Sequence, residues 1–372
     1  MHRGVQEFIN WLEKHPDFPS VKLGGPAQNA DLALVESQIA APLPADLRFM
    51  LQRHNGGTLP SGQLLRAGGT GEDTIEAALR ELASQLDRPL TDSELLVPFF
   101  RTDDGGILAF DRSAGPVADT WPIVDYQNDN EALRLVYRTF DGFCRVAVAE
   151  WTADDFDAEF TLQKYLNKGE RHAAIEPDVS IAHGTVAHAR RRAGDPEGAM
   201  RGYLAAARCV PSQPWCDWEA LKIAVLLGDS KHAMEAANRL SSRAPRSRWV
   251  ARETTPVCVA DVLGVLAPKV DARDVLARWF DQLAGQCETD ADRAHVAAVR
   301  RAVLAHNPPP QTHPIRPTAV SPQADHTAWW SEMRAAYNEG RLRDDDLLLD
   351  PAYQPLRTSH DFVELLRIRR EF

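Results

Sequence analysis

The sequence is poor in cysteine, in long apolar runs and in catalytic signatures, and each shortage removes a class of protein. Five cysteines in 372 residues (Cys144, Cys209, Cys216, Cys258 and Cys287) are odd in number, widely scattered and never paired as Cys-x-x-Cys. That argues against a disulfide framework or a structural zinc, and for reduced thiols in a cytoplasm. No apolar run approaches the ~20 residues a bilayer span needs, so no membrane partner is expected. Residues 1–7 lack an apolar core, so no secretory leader is expected either. The twelve histidines never form His-Glu-x-x-His, and no Gly-x-Ser-x-Gly elbow occurs. Nothing here calls for an enzyme, a metal or a cofactor.

What is present is a folded composition, 44% hydrophobic and 26% charged, long enough for two or three domains. Net charge is −11, unevenly spread. Residues 1–170 hold 15 basic and 27 acidic side chains, a balance of −12, while the remainder is close to neutral at +1. An acidic domain repels phosphate backbones, so nucleic acid is an unexpected partner and a basic protein an expected one.

The first 170 residues mix two periodicities. Helical spacing runs through Val5, Phe8, Ile9 and Leu12, again from Leu32 to Ile39, and from Ala45 to Arg53, where Asn55-Gly56-Gly57 stops it. Strand-like runs follow at 64–65, 95–100, 107–110, 121–126 and 133–137, interrupted by a helical insert at 74–86. Thr139 reads as an N-cap for a helix over 140–151, and Asp154 as one for a helix ending near Gly169. This predicts an α+β domain at 1–170, with a mixed or antiparallel sheet and flanking helices.

Beyond 175 the strands vanish and the chain repeats at 34 residues. Gly194, Asp195, Ala199 and Pro211 recur as Gly228, Asp229, Ala233 and Pro245. Glycine closes a first helix, aspartate caps a second, and a small alanine lets the two pack closely. An all-α helical-repeat region over 175–306 is predicted, then a proline-rich linker (307–323) and a C-terminal helical cap (324–372).

The order of Glu36, Leu43-Pro44, Asn55-Gly56-Gly57, Val97-Pro98-Phe99, Asp103-Asp104-Gly105-Gly106, Phe110-Asp111, Trp121 and Thr139-Phe140 resembles the SUKH superfamily of Smi/Knr-like immunity and regulatory domains. That resemblance implies a non-enzymatic α+β domain that binds a protein, in bacteria mostly a toxin and often a nuclease. The 34-residue period resembles tetratricopeptide repeats, with Ala187, Gly194, Ala199, Tyr203, Ala206 and Pro211 at the family's small, glycine, aromatic and proline positions. What the two imply together is an immunity protein that occludes a basic toxin, with the repeats as a second interaction surface. The alternatives are a regulatory scaffold without a toxin, and an acidic-cluster metal hydrolase.

Candidate contacts follow. Asp103, Asp104 and Asp111, with Asp125, form an expected acidic rim for the partner. The first three could instead hold a divalent cation, or simply serve a hairpin turn. On the repeats, the first helix of each tetratricopeptide pair lines a concave face. That places His188, Arg191, Arg192, Trp218 and Lys222 on an aromatic and cationic surface for a peptide or second protein. Trp215 and Trp218 could equally be core. Gly68-Gly69-Thr70-Gly71 lacks the lysine of a phosphate loop and reads as a flexible link.

Overall fold

The computed structural model describes residues 3–18, 20–85, 95–114, 120–127, 132–159, 161–193, 195–210, 214–227, 229–242, 256–266, 273–305 and 326–338. It divides into two units, Met1–Phe160 with Asn167–Ala182, and Thr161–Leu166 with His183–Phe372. The proline-rich linker, residues 339–372 of the C-terminal cap, and Gly194, Pro211, Gly228 and Pro245 of the repeat pattern lie outside the described residues.

In the first unit seven strands run as an antiparallel meander in chain order. They are β1 (Lys22–Leu23), β2 (Gly57–Leu59), β3 (Gly62–Leu64), β4 (Leu96–Thr102), β5 (Ile107–Asp111), β6 (Ile123–Gln127) and β7 (Ala132–Tyr137). The helices are α1 (Arg3–Lys14), α2 (Asn29–Gln38), α3 (Ala45–Arg53), α4 (Ile75–Gln85), α5 (Phe140–Trp151) and, from Asn167 on, α6 (Leu162–Ile175). Alternation along the strands sorts side chains between two faces. Val97, Phe110 and Ile123 join the main core with α1, α2, α3 and α5, whereas Leu96, Ile107, Ala109, Val124 and Tyr126 pack with Leu82 of α4. A register shift between Pro98 and Phe100 breaks the alternation on β4, and both Phe99 and Phe100 enter the main core. Phe99 lies against Phe110 at 4.8 Å and Phe140 at 5.4 Å between ring centroids, seating α5 on the sheet.

Thr139 caps α5 as its sequence predicts, accepting from the Gly142 amide at 3.0 Å. The Asp154 cap is not formed: residues 153–158 turn without a helix and α6 starts at Leu162. One cause is Asp155, whose carboxylate is held by Asn167 and Arg171 farther along the chain.

The second unit is helical throughout its described residues. α7 (Ser180–Arg192) and α8 (Pro196–Arg208) form one pair, α9 (Pro214–Leu227) and α10 (Ser230–Ser242) the next. The two pairs start 34 residues apart, 180 to 214 and 196 to 230, which is the sequence period. Asp195 caps α8 through the Gly198 amide and Asp229 caps α10 through the His232 amide. Ala187, Ala199, Tyr203, Ala206, Ala233, Leu221 and Leu240 are all buried. α11 (Pro256–Leu266), α12 (Arg273–Gln286) and α13 (Asp290–Leu304) continue the core through Leu263, Trp279, Phe280 and Val296, but their spacing leaves the 34-residue period. α14 (His326–Asn338) follows, with Met333 and Ala336 buried.

Candidate functional site

Asp103 and Asp104 sit exposed at the tip of the β4–β5 hairpin. Asp104 accepts from the Thr102 hydroxyl and the Gly106 amide, and Gly105 takes a positive φ of 87°, so the turn uses this carboxylate itself. Asp111 lies at the opposite end of β5, paired in register with Leu96, and accepts from the amide and hydroxyl of Ser113. Strand rise puts it roughly 20 Å from the hairpin tip. The three carboxylates therefore do not converge, which removes the metal-hydrolase alternative built on them. Asp125 does not belong to an open rim: it is 7% exposed and ion-paired with Arg134 at 2.9 Å across β6 and β7.

The Asn-Gly-Gly motif does more than end α3. Asn55 donates from Nδ2 to the Ala67 carbonyl (2.9 Å) and accepts on Oδ1 from the Ala67 amide (2.7 Å), acting as a one-residue strand partner. Gly56 takes φ +80°, and a Cβ there would fall 2.7 Å from the Cβ of Arg66. Glu36 accepts from the Leu43 amide at 3.0 Å and pairs with Arg48, joining α2 to α3. Burial pushes the Glu36 carboxyl up, but Arg48 and the amide outweigh it and hold it below the ordinary range.

The loop that Asn55 grips leads to a pair of carboxylates. Glu76, in the first turn of α4, is 6% exposed and accepts the Gly68 amide on Oε1 at 3.1 Å. Its Oε2 is sealed from solvent and has no hydrogen-bond partner among the described residues. Asp31, in the first turn of α2, lays its carboxylate on Gly68, where a Cβ would meet Oδ1 at 2.5 Å. Gly68 takes φ +75°, so this position excludes a side chain on both counts. Arg66 is held by Asp73 at 3.0 Å. Sequence reading treats 68–71 as a link; Asp31 and Glu76 stand at ordinary helix-start positions, so no local pattern marks them.

A second polar knot closes the first unit. Glu176, following α6, is 6% exposed and accepts the Arg138 amide at 2.9 Å, while its Oε1 occupies the space a Cβ on Gly142 would need. Burial raises its pKa above the ordinary value, only partly offset by that amide and by Arg138 and Arg145. His172 reaches the Val136 carbonyl through Nε2 at 3.0 Å, and Arg171 pairs with Glu150 at 3.1 Å. Trp151 packs inside this unit against Phe8 and Trp11 at 5.3 and 5.0 Å between ring centroids.

On the helical region the expected open surface is internal. Trp218 is 4% and Lys222 2% exposed. Lys222 Nζ pairs with Glu219 at 2.8 Å and stands over the Trp218 ring, and Arg191 binds the other Glu219 oxygen. Burial pushes the Glu219 carboxyl up, yet Lys222 and Arg191 hold it below its ordinary value. His188 and Arg192 are half-buried on α7. Trp215 packs edge-on to Tyr203 at 5.6 Å, so both tryptophans take the core role. Sequence reading placed the cations correctly on α7 and α9 but missed Glu219, three residues before Lys222, which draws them inward.

Among the described residues no three His, Cys, Asp or Glu side chains gather as a metal site, and no helix is long and apolar enough to cross a membrane. No curated protein matches the chain. Residues 26–145, about a third of the sequence and running from just before α2 into α5, match the model of the SMI1 / KNR4 family (SUKH-1), and this segment is similar to domains of that family.

Proposed function

We propose that the chain is a non-enzymatic, cytoplasmic protein-binding protein of the immunity type. Its first unit engages a basic protein, such as the cationic active site of a toxin nuclease, and blocks it by occlusion. The observation that carries this reading is the SMI1/KNR4-type segment at 26–145 coinciding with the half of the sequence that holds a balance of −12. Charge complementarity of that kind accelerates encounter and orients the partner more than it adds affinity. The exposed Asp103 and Asp104 tip belongs to the steering surface. The helical pairs, tetratricopeptide-like in their 34-residue spacing, offer a place for a second protein.

A regulatory scaffold with no toxin partner is the second reading, favoured by the long helical region beyond the family-matched segment. Co-expression with a toxin encoded beside the gene separates the two. Immunity requires growth rescue, a complex of purified proteins, and association that slows steeply between about 50 and about 500 mM salt. Growth arrest in the presence of well-folded protein favours the scaffold, and salt-independent association removes the steering role of the acidic charge.

A further inference from the structure

We propose that the Gly68 loop, with the first turns of α2 and α4, is a receiving site for an arginine side chain of a protein partner. The inference rests on the protein-binding reading above and names one contact within it. Two carboxylates reach the same residue from two different helices: Glu76 bonds the Gly68 amide and Asp31 covers the Gly68 Cα. Acidic residues in first helical turns complement the helix dipole, which accounts for their chemical type. It does not account for Glu76 Oε2, a carboxylate oxygen in a residue more than nine-tenths buried with no donor among the described residues. Leaving such an atom unbonded is costly, and an arriving cationic donor relieves that cost. The loop's own cation does not supply it, because Arg66 is bound to Asp73 through both Nε and Nη2.

The neighbouring surface selects the kind of cation. Leu34, one turn beyond Asp31 on α2, is 51% exposed, and Ala30, one turn before it on the same face, is also exposed. An apolar surface beside a carboxylate pair suits a long basic side chain, whose methylenes lie on Leu34 and Ala30 while its head meets Asp31. A guanidinium carries five donors in a planar fork and can bond two carboxylates together, which an ammonium cannot do with the same geometry. A bare divalent cation wants six or more oxygens and gains nothing from Leu34. Gly69 and Thr70, which follow the Gly68 bonded to Glu76, are exposed, and the torsional freedom of Gly68 and Gly69 lets this loop shift to admit the head group.

The test is an NMR titration of the full chain with N-acetyl-arginine methylamide, following the amides of Gly68, Gly69 and Thr70 and the methyls of Leu34. Saturable shifts at these positions are expected, with weaker binding of the lysine analogue. Asp31→Asn should weaken the arginine analogue by about tenfold, as loss of one charge-assisted bond requires, and Leu34→Ala should weaken it less. Both residues have solvent access, so these variants keep the fold, which their unchanged remaining spectrum verifies; Glu76→Gln is a supplementary variant. Glu288→Gln, at an exposed carboxylate of the second unit, should leave the titration unaltered. Shifts that never saturate, that survive Asp31→Asn, or that calcium chloride reproduces and competes away would overturn the proposal. Failure of the protein-binding reading looks different: arginine binds saturably, yet no basic protein forms a complex. If a basic partner is found and Asp31→Asn leaves its affinity unchanged, the contact proposed here is wrong while the broader reading stands.

Discussion

Replacing Asn55 by alanine tests whether the Asn-Gly-Gly motif works as a clamp. Ala67 is 1% exposed, and its amide and carbonyl are both bonded by the Asn55 side chain, at 2.7 and 2.9 Å. Truncation at Cβ leaves two buried backbone groups without partners, each costing about 1–3 kcal/mol. Asn55 is itself half-buried, so water recovers part of this, and the net expectation is about 2–4 kcal/mol. The flanking bonds, Leu65 to Phe99 and Ile75 to Arg66, are untouched, so the loss should concentrate between them. Native-state hydrogen exchange reads it directly: 2–4 kcal/mol corresponds to roughly 30- to 900-fold faster exchange at the Ala67 amide. Asn55→Asp keeps the acceptor and loses the donor, so it should show about half the effect. The exposed Asn10→Ala serves as control. An Asn55→Ala chain whose Ala67 amide exchanges no faster than in that control would refute the clamp.

Three further outcomes follow from the buried polar groups and close packing. Because burial raises the Glu176 pKa, its contribution is fully present below the ordinary value near 4.5 and is lost as pH rises through the higher folded value. Wild type should therefore lose stability against Glu176→Gln over that interval, and urea midpoints that keep a constant difference from pH 4 to about pH 8 would contradict this. Glu219→Gln strips the countercharge from Lys222 and Arg191 and should cost about 3–5 kcal/mol by thermal melting, largely recovered in a Glu219→Gln, Lys222→Met double variant; a loss below about 1 kcal/mol would deny the internal ion triad. A Cβ on Gly202 would lie 2.8 Å from that of Ala187, so Gly202→Ala should cost about 1–3 kcal/mol through overpacking and be rescued by Ala187→Gly, a rescue whose absence would place the strain elsewhere.

Much of the architecture was legible because it depends on local pattern. The helix over 45–53, the Thr139 cap and the 34-residue offset of the helix pairs all follow from periodicity and caps read within a few residues. The misses in secondary structure and unit boundary share one cause, partners distant in sequence. β1 is two residues long and exists only because Lys22 and Leu23 pair with Thr58 and Gly57, so no periodicity could announce it. Asp154 has the form of a cap, but the chain beside it is drawn away by the pairing of Asp155 with Asn167 and Arg171. The same cause carries the first unit through Ala182: Glu176 and His172 bond backbone groups of residues 138 and 136, a closure that only the folded chain displays.

The expected contact residues separate by what opposes them, near or far along the chain. Charge type and helix face were readable, and they put Arg191 and Lys222 on the correct helices. Whether a charge stays available depends on what opposes it in space. Asp125 meets Arg134 across two strands and Lys222 meets Glu219 within one helix, and both become part of the interior. Asp103 and Asp104 remain exposed, as residues at the tip of a hairpin commonly are. Glu76 is the opposite case, since it is buried with one oxygen bonded by the Gly68 amide and the other bonded to nothing among the described residues. A count of acidic residues weighs these five positions equally. Exposed carboxylates act over distance and are screened by salt, whereas a desolvated one acts only on contact and is screened much less. If both kinds engage the same basic partner, salt should change its rate of arrival through Asp103 and Asp104. The residence time should then follow Asp31 and Glu76, so Asp31→Asn should raise the dissociation rate while leaving the salt slope of association nearly unchanged. Stopped-flow association and dissociation measured at several salt concentrations separate the two, and an Asp31→Asn effect confined to association would place that residue on the steering surface instead.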